Sequence, residues 1–331
     1  TCGARLDPGV KSIATSGWAG AVNDSPGTPP MSLLRLALFL ALLAPSGFAS
    51  GAAPQNGPGW TSGSDGSDGV LDRTYLQTTP GITFASGRYI FDLAHSQFAS
   101  NYDPTRWAVV FHWSSVNLID AVGFSNHPSG APVVWLSQGD VVVEQWIRLD
   151  ADPLSSLDYH NPGPGGFRGG RVDGTQGQRS SGFGPGGGYL TDTFASGAGG
   201  HNGLGAGTAA GAGGARYGTA VFPLMGGSGG GAGFNFGGGS GGGAILIASD
   251  TRVTVRDAGS ITANAQPGNP SIGPTDGGSG GMIRVVAPMI EIDGSTLRAG
   301  GGGIWRPGAP GFIRFETSAP GTLTRTPIEI T

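Results

Sequence analysis

The sequence predicts an all-β fold: a right-handed parallel β-solenoid (β-helix) with a large Gly-rich insertion and a small β-rich part at its N-terminal side. Three observations predict it. Two segments carry one pattern: GAILIASDTRVTVRDAGSITANA from Gly243 and GMIRVVAPMIEIDGSTLRAG over Gly281–Gly300. A copy with longer spacing, PVVWLSQGDVVVEQWIRLDAD, occupies Pro132–Asp152, and a truncated one, GFIRFET, occupies Gly311–Thr317. No helical period of useful length occurs after Ser50. Short strands turned by small residues and repeated along a chain are the pattern of stacked units, none of which can bury its apolar face alone.

Taken in order, residues 1–30 begin at Thr1, are rich in Gly, Pro and Ser, and read as an upstream, non-native segment without a fold of its own. Residues 31–50, MSLLRLALFLALLAPSGFAS, read as a Sec signal peptide: Arg35, an apolar run Leu36–Leu43, a break at Pro45 and small residues. That run is shorter than the ~20 residues a membrane span needs. After it the chain carries no Cys and no Lys, since Cys2 and Lys11 lie upstream, so disulfides and thiolate metal sites are excluded. From Ser50 onward there are 15 Arg against 20 Asp plus Glu, a net charge of −5 with no basic stripe, which excludes nucleic acid as a partner.

Residues 51–69 form a Gly/Ser/Pro/Asp linker ending in GSDGSDG, and residues 70–162 an N-terminal β region with the first coils. Its strand-like segments GITFASGRYIFDL, RWAVVFHW and SVNLIDAV are aromatic and β-branched. Residues 163–243 contain 34 Gly in 81 positions, with aromatics such as Phe167, Phe183, Tyr189 and Tyr217 set singly among them. Two readings stand: a flexible loop, because glycine loses most entropy on ordering, or a packed layer in which glycine permits close backbone approach. In residues 244–331 the C-terminal coils follow. Each repeat gives a first strand (Ala244–Ala248, Met282–Ala287), a second (Arg252–Val255, Met289–Ile292), an Asp-x-Gly or Asp-Gly turn and a third strand (Ser260–Ala263, Ser295–Arg298).

The order SDGSDGVLD, APVVWLSQGDVVVEQWIRLDA, NPGPGGFRGG, LMGGSGGGAGFNFGGGSGGGAILIA, SITANA, GGSGGMIRVVAPMIEIDGSTLRAGGG and PGFIRFE resembles an uncharacterised family of secreted Gly-rich bacterial proteins. The resemblance covers Gly63–Glu316 at the level of motifs and departs at Glu144-Gln145-Trp146, where the family tends to turn on Gly. It implies export and a repeat scaffold; it brings no catalytic residues.

The chemistry-bearing motifs each have a plain counterpart. Gly-x-Ser-x-Gly at Gly226–Gly230, Gly238–Gly242 and Gly277–Gly281 lacks the strand before and helix after that a nucleophile elbow needs. G-x-G-x-x-G over Gly182–Gly187 lacks a βαβ unit. Asp65, Asp68 and Asp72 offer oxygens to Ca²⁺, the one cofactor the sequence admits, but without an EF-hand pattern, and Ser-Asp-Gly is also a turn former. Asp150 and Asp152 alternate to one strand face with Arg148, a set able to move protons on a sugar; the counterpart is a solvated strand end before Pro153. His112 beside Trp113 reads as strand packing, and no two histidines share metal-ligand spacing. The aromatics, with Trp60, Trp305 and Tyr159 as ligand-binding candidates, suit either sugar stacking or the core, the core above all for Trp113 and Trp135.

The expected protein is therefore exported to the periplasm, cell surface or medium, without a membrane span in the mature chain. Its expected role is structural or adhesive, with polysaccharide or cell-envelope components as partners and self-association through open strand edges. The alternative is a carbohydrate-active β-helix enzyme, a lyase or hydrolase.

Overall fold

The structure is a computed structural model. It describes residues 61–151, 161–173, 178–189, 197–207, 213–217, 223–232, 237–267, 276–303, 306–317 and 323–325. The segments expected as upstream sequence and signal peptide lie outside these residues.

The repeat segments form strands where their apolar alternation falls. The third copy supplies β7 (Val133–Ser137), β8 (Val141–Val143) and β9 (Trp146–Arg148). The next supplies β12 (Ala244–Ser249), β13 (Arg252–Val255) and β14 (Ser260–Thr262). It is followed by β15 (Met282–Ala287), β16 (Met289–Ile292) and β17 (Thr296–Arg298), then β18 (Phe312–Thr317) and β19 (Leu323–Arg325). First strands pair with first strands, all parallel, so Val133, Ile245, Ile283 and Ile313 fall in one row and Trp135, Ile247, Val285 and Phe315 in the next. Second strands align Val143, Val255 and Ile292; third strands align Ile147, Ile261 and Leu297. These rows point inward and share one core with Phe111, Trp113 and Phe91. The outward side of the first strands is also largely buried, around Val110, Leu136, Ala248 and Val286, which is why AILIA and MIRVVA read as continuous apolar runs.

The N-terminal part breaks this regularity. β5 (Ala108–Leu118) is eleven residues long; its first half pairs β7 and its second half pairs β8. It thereby joins both arms into one eleven-stranded sheet, while a second sheet of six strands runs β17-β14-β9-β6-β3-β2. In it, β6 is Val122–Ser125, β3 is Arg88–Asp92 and β2 is Ile82–Ala85. β2 lies antiparallel to β3 around Ser86 and Gly87, both at positive φ. β4 (Tyr102–Asp103) lies antiparallel on β5, and β1 (Gly69–Leu71) parallel on it. Among the described residues helix is confined to α1 (Arg73–Thr78), capped by the Asp72 carboxylate accepting from Tyr75 N at 2.9 Å, and a 3-10 turn at Ser96–Asn101.

The expectation of a right-handed parallel β-solenoid with a Gly-rich insertion is thus corrected. The described residues form a predominantly parallel, nearly barrel-like large sheet and a mixed second sheet, with little helix. The cause is local: the aromatic N-terminal segment does not carry the three-strand repeat. It supplies one long bridging strand and antiparallel strands that cover the edges of β5 and β3.

The described part of 163–243 is not set apart as a loop either. It packs with 276–281, 300–303 and 306–311 as a layer of extended glycine-rich chains joined by backbone hydrogen bonds. Gly227 N donates to Gly242 O at 2.8 Å, Gly242 N to Ser279 O at 3.0 Å, and Ser279 N to Ser228 O at 2.8 Å. Gly280 N donates to Ala309 O and Ala309 N to Gly199 O, both at 2.9 Å. The layer runs directly into the sheets: Gly243 N bonds Leu149 O, Met282 N bonds Gly243 O, and Phe312 N bonds Gly281 O. Glycine is obligatory here because the backbones touch. A Cβ at Gly188 would overlap Gly197 O, and one at Gly227 would overlap Ser279 O. Outside this layer β10 (Val172–Asp173) and β11 (Gln178–Arg179) form a short antiparallel pair.

Candidate functional site

A concavity lies on the outer side of β5. Alternation on that strand puts Phe111 and Trp113 in the core and leaves Val110 and His112 outward, as the floor of a cleft of about 460 Å³. One wall is Ser67–Asp68; the other runs from Ser100 through Asn101, Tyr102 and Asp103 to Arg106.

Hydrogen bonds fix both walls. Asp68 Oδ2 accepts from His112 N at 2.6 Å and from Asn101 Nδ2 at 3.1 Å, while Asp68 N donates to His112 O at 2.9 Å. Asn101 Nδ2 also donates to Val110 O at 2.9 Å, tying the 3-10 turn to the strand. Asp103 Oδ1 accepts from Thr105 N at 2.8 Å and Thr105 Oγ1 at 2.6 Å, and these bonds hold its carboxyl below the usual carboxylate range. The turn so formed presents Arg106, two-thirds exposed, with its Nε 3.5 Å from Asp103 Oδ2. It ends at Trp107, whose φ of +49° is unusual for so bulky a residue. Two contacts hold that conformation: Trp107 Nε1 donates to Ser129 O at 3.1 Å, and its ring stacks on Phe167 with centroids 6.4 Å apart. The Tyr102 ring stacks on His127 at 4.3 Å, and burial holds the His127 pKa below its ordinary value. On the floor, His112 Nδ1 is buried without a hydrogen-bond partner; Asp65 Oδ1 is 3.7 Å away, too far for a hydrogen bond.

The Ca²⁺ candidates are not gathered. Asp72 caps α1, the Asp68 carboxylate is engaged with His112 N and Asn101 Nδ2, and Asp65 accepts from Ser67 N at 2.9 Å and stands exposed beside His112. The Ser67 bonds hold the Asp65 carboxyl below its ordinary value. Among the described residues no three His, Cys, Asp or Glu side chains come together as metal ligands do. Asp150 and Arg148 are neighbours as alternation required, paired at 2.9 Å. The carboxylate is used up as a fastener: Thr262 Oγ1 donates to Oδ2 at 3.0 Å and Asn264 N to Oδ1 at 2.6 Å. Asp152, Trp60, Tyr159 and Trp305 lie outside the described residues. Trp113 and Trp135 are fully buried in the core, their rings edge to face at 6.3 Å.

The serines of the three Gly-Gly-Ser-Gly-Gly copies are cross-links of the glycine layer. Ser228, Ser240 and Ser279 have no solvent exposure. Ser279 Oγ accepts from Ser228 N at 2.7 Å and donates to Gly200 O at 3.0 Å; Ser228 Oγ accepts from Gly186 N at 3.0 Å. His201, one of the five histidines without metal-ligand spacing, is buried in the same layer, its Nδ1 2.6 Å from Gly280 O and its ring stacked on Tyr217. Burial depresses the His201 pKa and pushes the Tyr217 phenol up to about 12.

No family model, curated protein or solved structure matches this chain.

Proposed function

We propose that this chain is an exported, non-enzymatic structural or adhesive protein of the cell surface, and that it contacts glycans. The observation carrying the reading is the glycine layer, bonded along its length by backbone hydrogen bonds within itself and running into the sheets at Gly243, Gly281 and Phe312. Such a layer cannot hinge or close over a substrate without breaking many buried backbone hydrogen bonds, and each unmade one costs about 1–3 kcal/mol. It suits a rigid platform that presents fixed surface groups. The carboxylate best placed for glycoside chemistry, Asp150, is consumed by Arg148, Thr262 and Asn264, which weighs against the lyase or hydrolase reading. The bacterial resemblance and the Met31–Ser50 leader pattern support export.

The test uses the chain from Ser50 with insoluble bacterial, plant and fungal polysaccharides. Co-sedimentation with intact glycan supports the reading. Release of reducing ends or of unsaturated sugars would overturn it in favour of an enzyme.

A further inference from the structure

We infer that β18 is a self-association edge, along which two copies of this chain pair antiparallel about a two-fold axis at Phe315, whether or not the chain contacts glycan. The two ends of the stacked strands differ. At the N-terminal end β1 and β4 lie on the outer edge of β5, and β2 lies on β3. β1 and β4 have only three and two residues, too short to template a further strand. At the opposite end β18 closes the large sheet. Among the described residues it pairs with β15 alone, and each of its residues is half-buried where each residue of β15 is buried. The backbone fixes which groups are free. Phe312 N donates to Gly281 O at 2.9 Å, on the β15 side. Successive residues of an extended strand turn their N–H and C=O groups to opposite sides, so Arg314 and Glu316 also bond toward β15. Ile313, Phe315 and Thr317 therefore aim theirs at the free edge.

Side chains choose the register. Residues directly opposite in an antiparallel pair share a face of the sheet, and Ile313 and Phe315 both pack on the core. An axis at Phe315 sets Phe315 opposite Phe315, Ile313 opposite Thr317 and Arg314 opposite Glu316. The free N–H and C=O of Phe315 then exchange both bonds with the same residue of the second copy, as in the hydrogen-bonded pair of an antiparallel ladder. An axis at Arg314 sets arginine against arginine, and one at Glu316 sets carboxylate against carboxylate; like charges directly opposite destabilise a pair. An axis at Ile313 or Thr317 leaves part of β18 outside the pair. Charge on this face is also unbalanced within one copy. Arg284 and Arg314 share the Glu316 carboxylate, with Nε–Oε1 distances of 2.6 and 2.9 Å, and the Arg314 side chain is still two-fifths exposed. In the Phe315 register each Arg314 gains a second carboxylate. One edge meeting itself closes at two copies, whereas head-to-tail stacking would continue into a fibre.

The experiment is analytical ultracentrifugation of the chain from Ser50, the expected exported form, between about 1 and about 100 μM, with amide hydrogen exchange at both limits. The expected result is a shift from one-chain to two-chain mass with nothing larger. On association the amides of Ile313, Phe315 and Thr317 are expected to exchange at least about tenfold more slowly, while those of Phe312, Arg314 and Glu316 are protected at both concentrations. Arg314→Glu, which sets carboxylate opposite carboxylate, is expected to weaken association at least about tenfold. Thr317→Pro removes an N–H that faces the free edge and keeps the bonds to β15; it is expected to weaken association about tenfold. A one-chain mass across the whole range would overturn the inference. So would species that keep growing with concentration, or association that leaves Ile313, Phe315 and Thr317 unprotected. Protection of these three amides at every concentration would overturn it too, because a segment of the same chain would then cover the edge. Unchanged association of both Arg314→Glu and Thr317→Pro would place the contact on another surface and overturn it as well.

Discussion

The strand walls and the glycine layer exclude water by opposite means. The walls do it with side chains: rows such as Trp135, Ile247 and Val285 interlock across strands, and all three residues are fully buried. The layer does it by having almost none. Gly227, Gly242 and Ser279 lie backbone against backbone, each N–H taken by a neighbouring carbonyl. Hydrophobic burial tolerates a change of shape at a graded cost. Backbone contact leaves no space for even one methyl group, so the layer is defined by hydrogen bonds and sterics. Substitutions should therefore rank differently in the two regions.

The largest effect belongs to the walls. Trp135→Ala is expected to lower stability by about 3–5 kcal/mol in chemical denaturation, as for other large core aromatics. Trp135→Phe is expected to recover much of that, because its buried Nε1 has no partner to lose. In the layer the added methyl group is what destabilises. Gly188→Ala or Gly227→Ala is expected to cost about 1–3 kcal/mol or more, as overpacking does. Gly203→Ala, whose Cβ would meet only Ala309 Cβ at 3.8 Å, is expected to stay within about 0.5 kcal/mol of the parent. Equal melting temperatures for Gly188→Ala and Gly203→Ala would show that the layer is not close-packed. A smaller loss, about 1 kcal/mol, is expected for Asp72→Ala, which removes the α1 cap and touches neither region.

The last distinction is one of pH. The rings of Tyr217 and Phe312 and the carbonyl of Gly280 face His201, with no carboxylate among these contacts to welcome a proton. Its pKa in the fold lies below the ordinary 6.5, so below about that pH the unfolded chain takes up a proton that the fold resists. Stability from this site is complete above 6.5 and is lost as the pH falls toward the folded pKa. Melting curves across this window should show the loss in the parent and a flatter profile in His201→Gln.

How much of this was legible depended on side chains. Expected strands at Ala244–Ala248 and Met282–Ala287 meet β12 and β15 because alternation of apolar residues marks them. β5 is one strand where the sequence shows two strand-like segments, RWAVVFHW and SVNLIDAV; the Ser114-Ser115 pair interrupts the apolar run but not the backbone. The bridging β5 and the edge strands β1 and β4, which no repeat marks, are what separate this fold from a solenoid. α1 has six residues, too few to show a period, and its one local signal was Asp72. The glycine layer is invisible to any reading by hydrophobic period. Its signal was the threefold Gly-Gly-Ser-Gly-Gly, which has meaning only once the copies lie side by side. The cleft joins residues near 67, 103 and 112, brought together by β4 and β1 pairing on β5, and no local spacing announces it.

The most direct test of the account is amide hydrogen exchange on the folded chain, comparing Gly227, Gly242, Ser279 and Gly280 with Ile247 and Val285. The account predicts that the layer amides exchange as slowly as those of β12 and β15, within about tenfold, because all are buried and bonded to backbone carbonyls. Exchange of the layer amides at the rate of an open loop, with β12 and β15 protected, would contradict it.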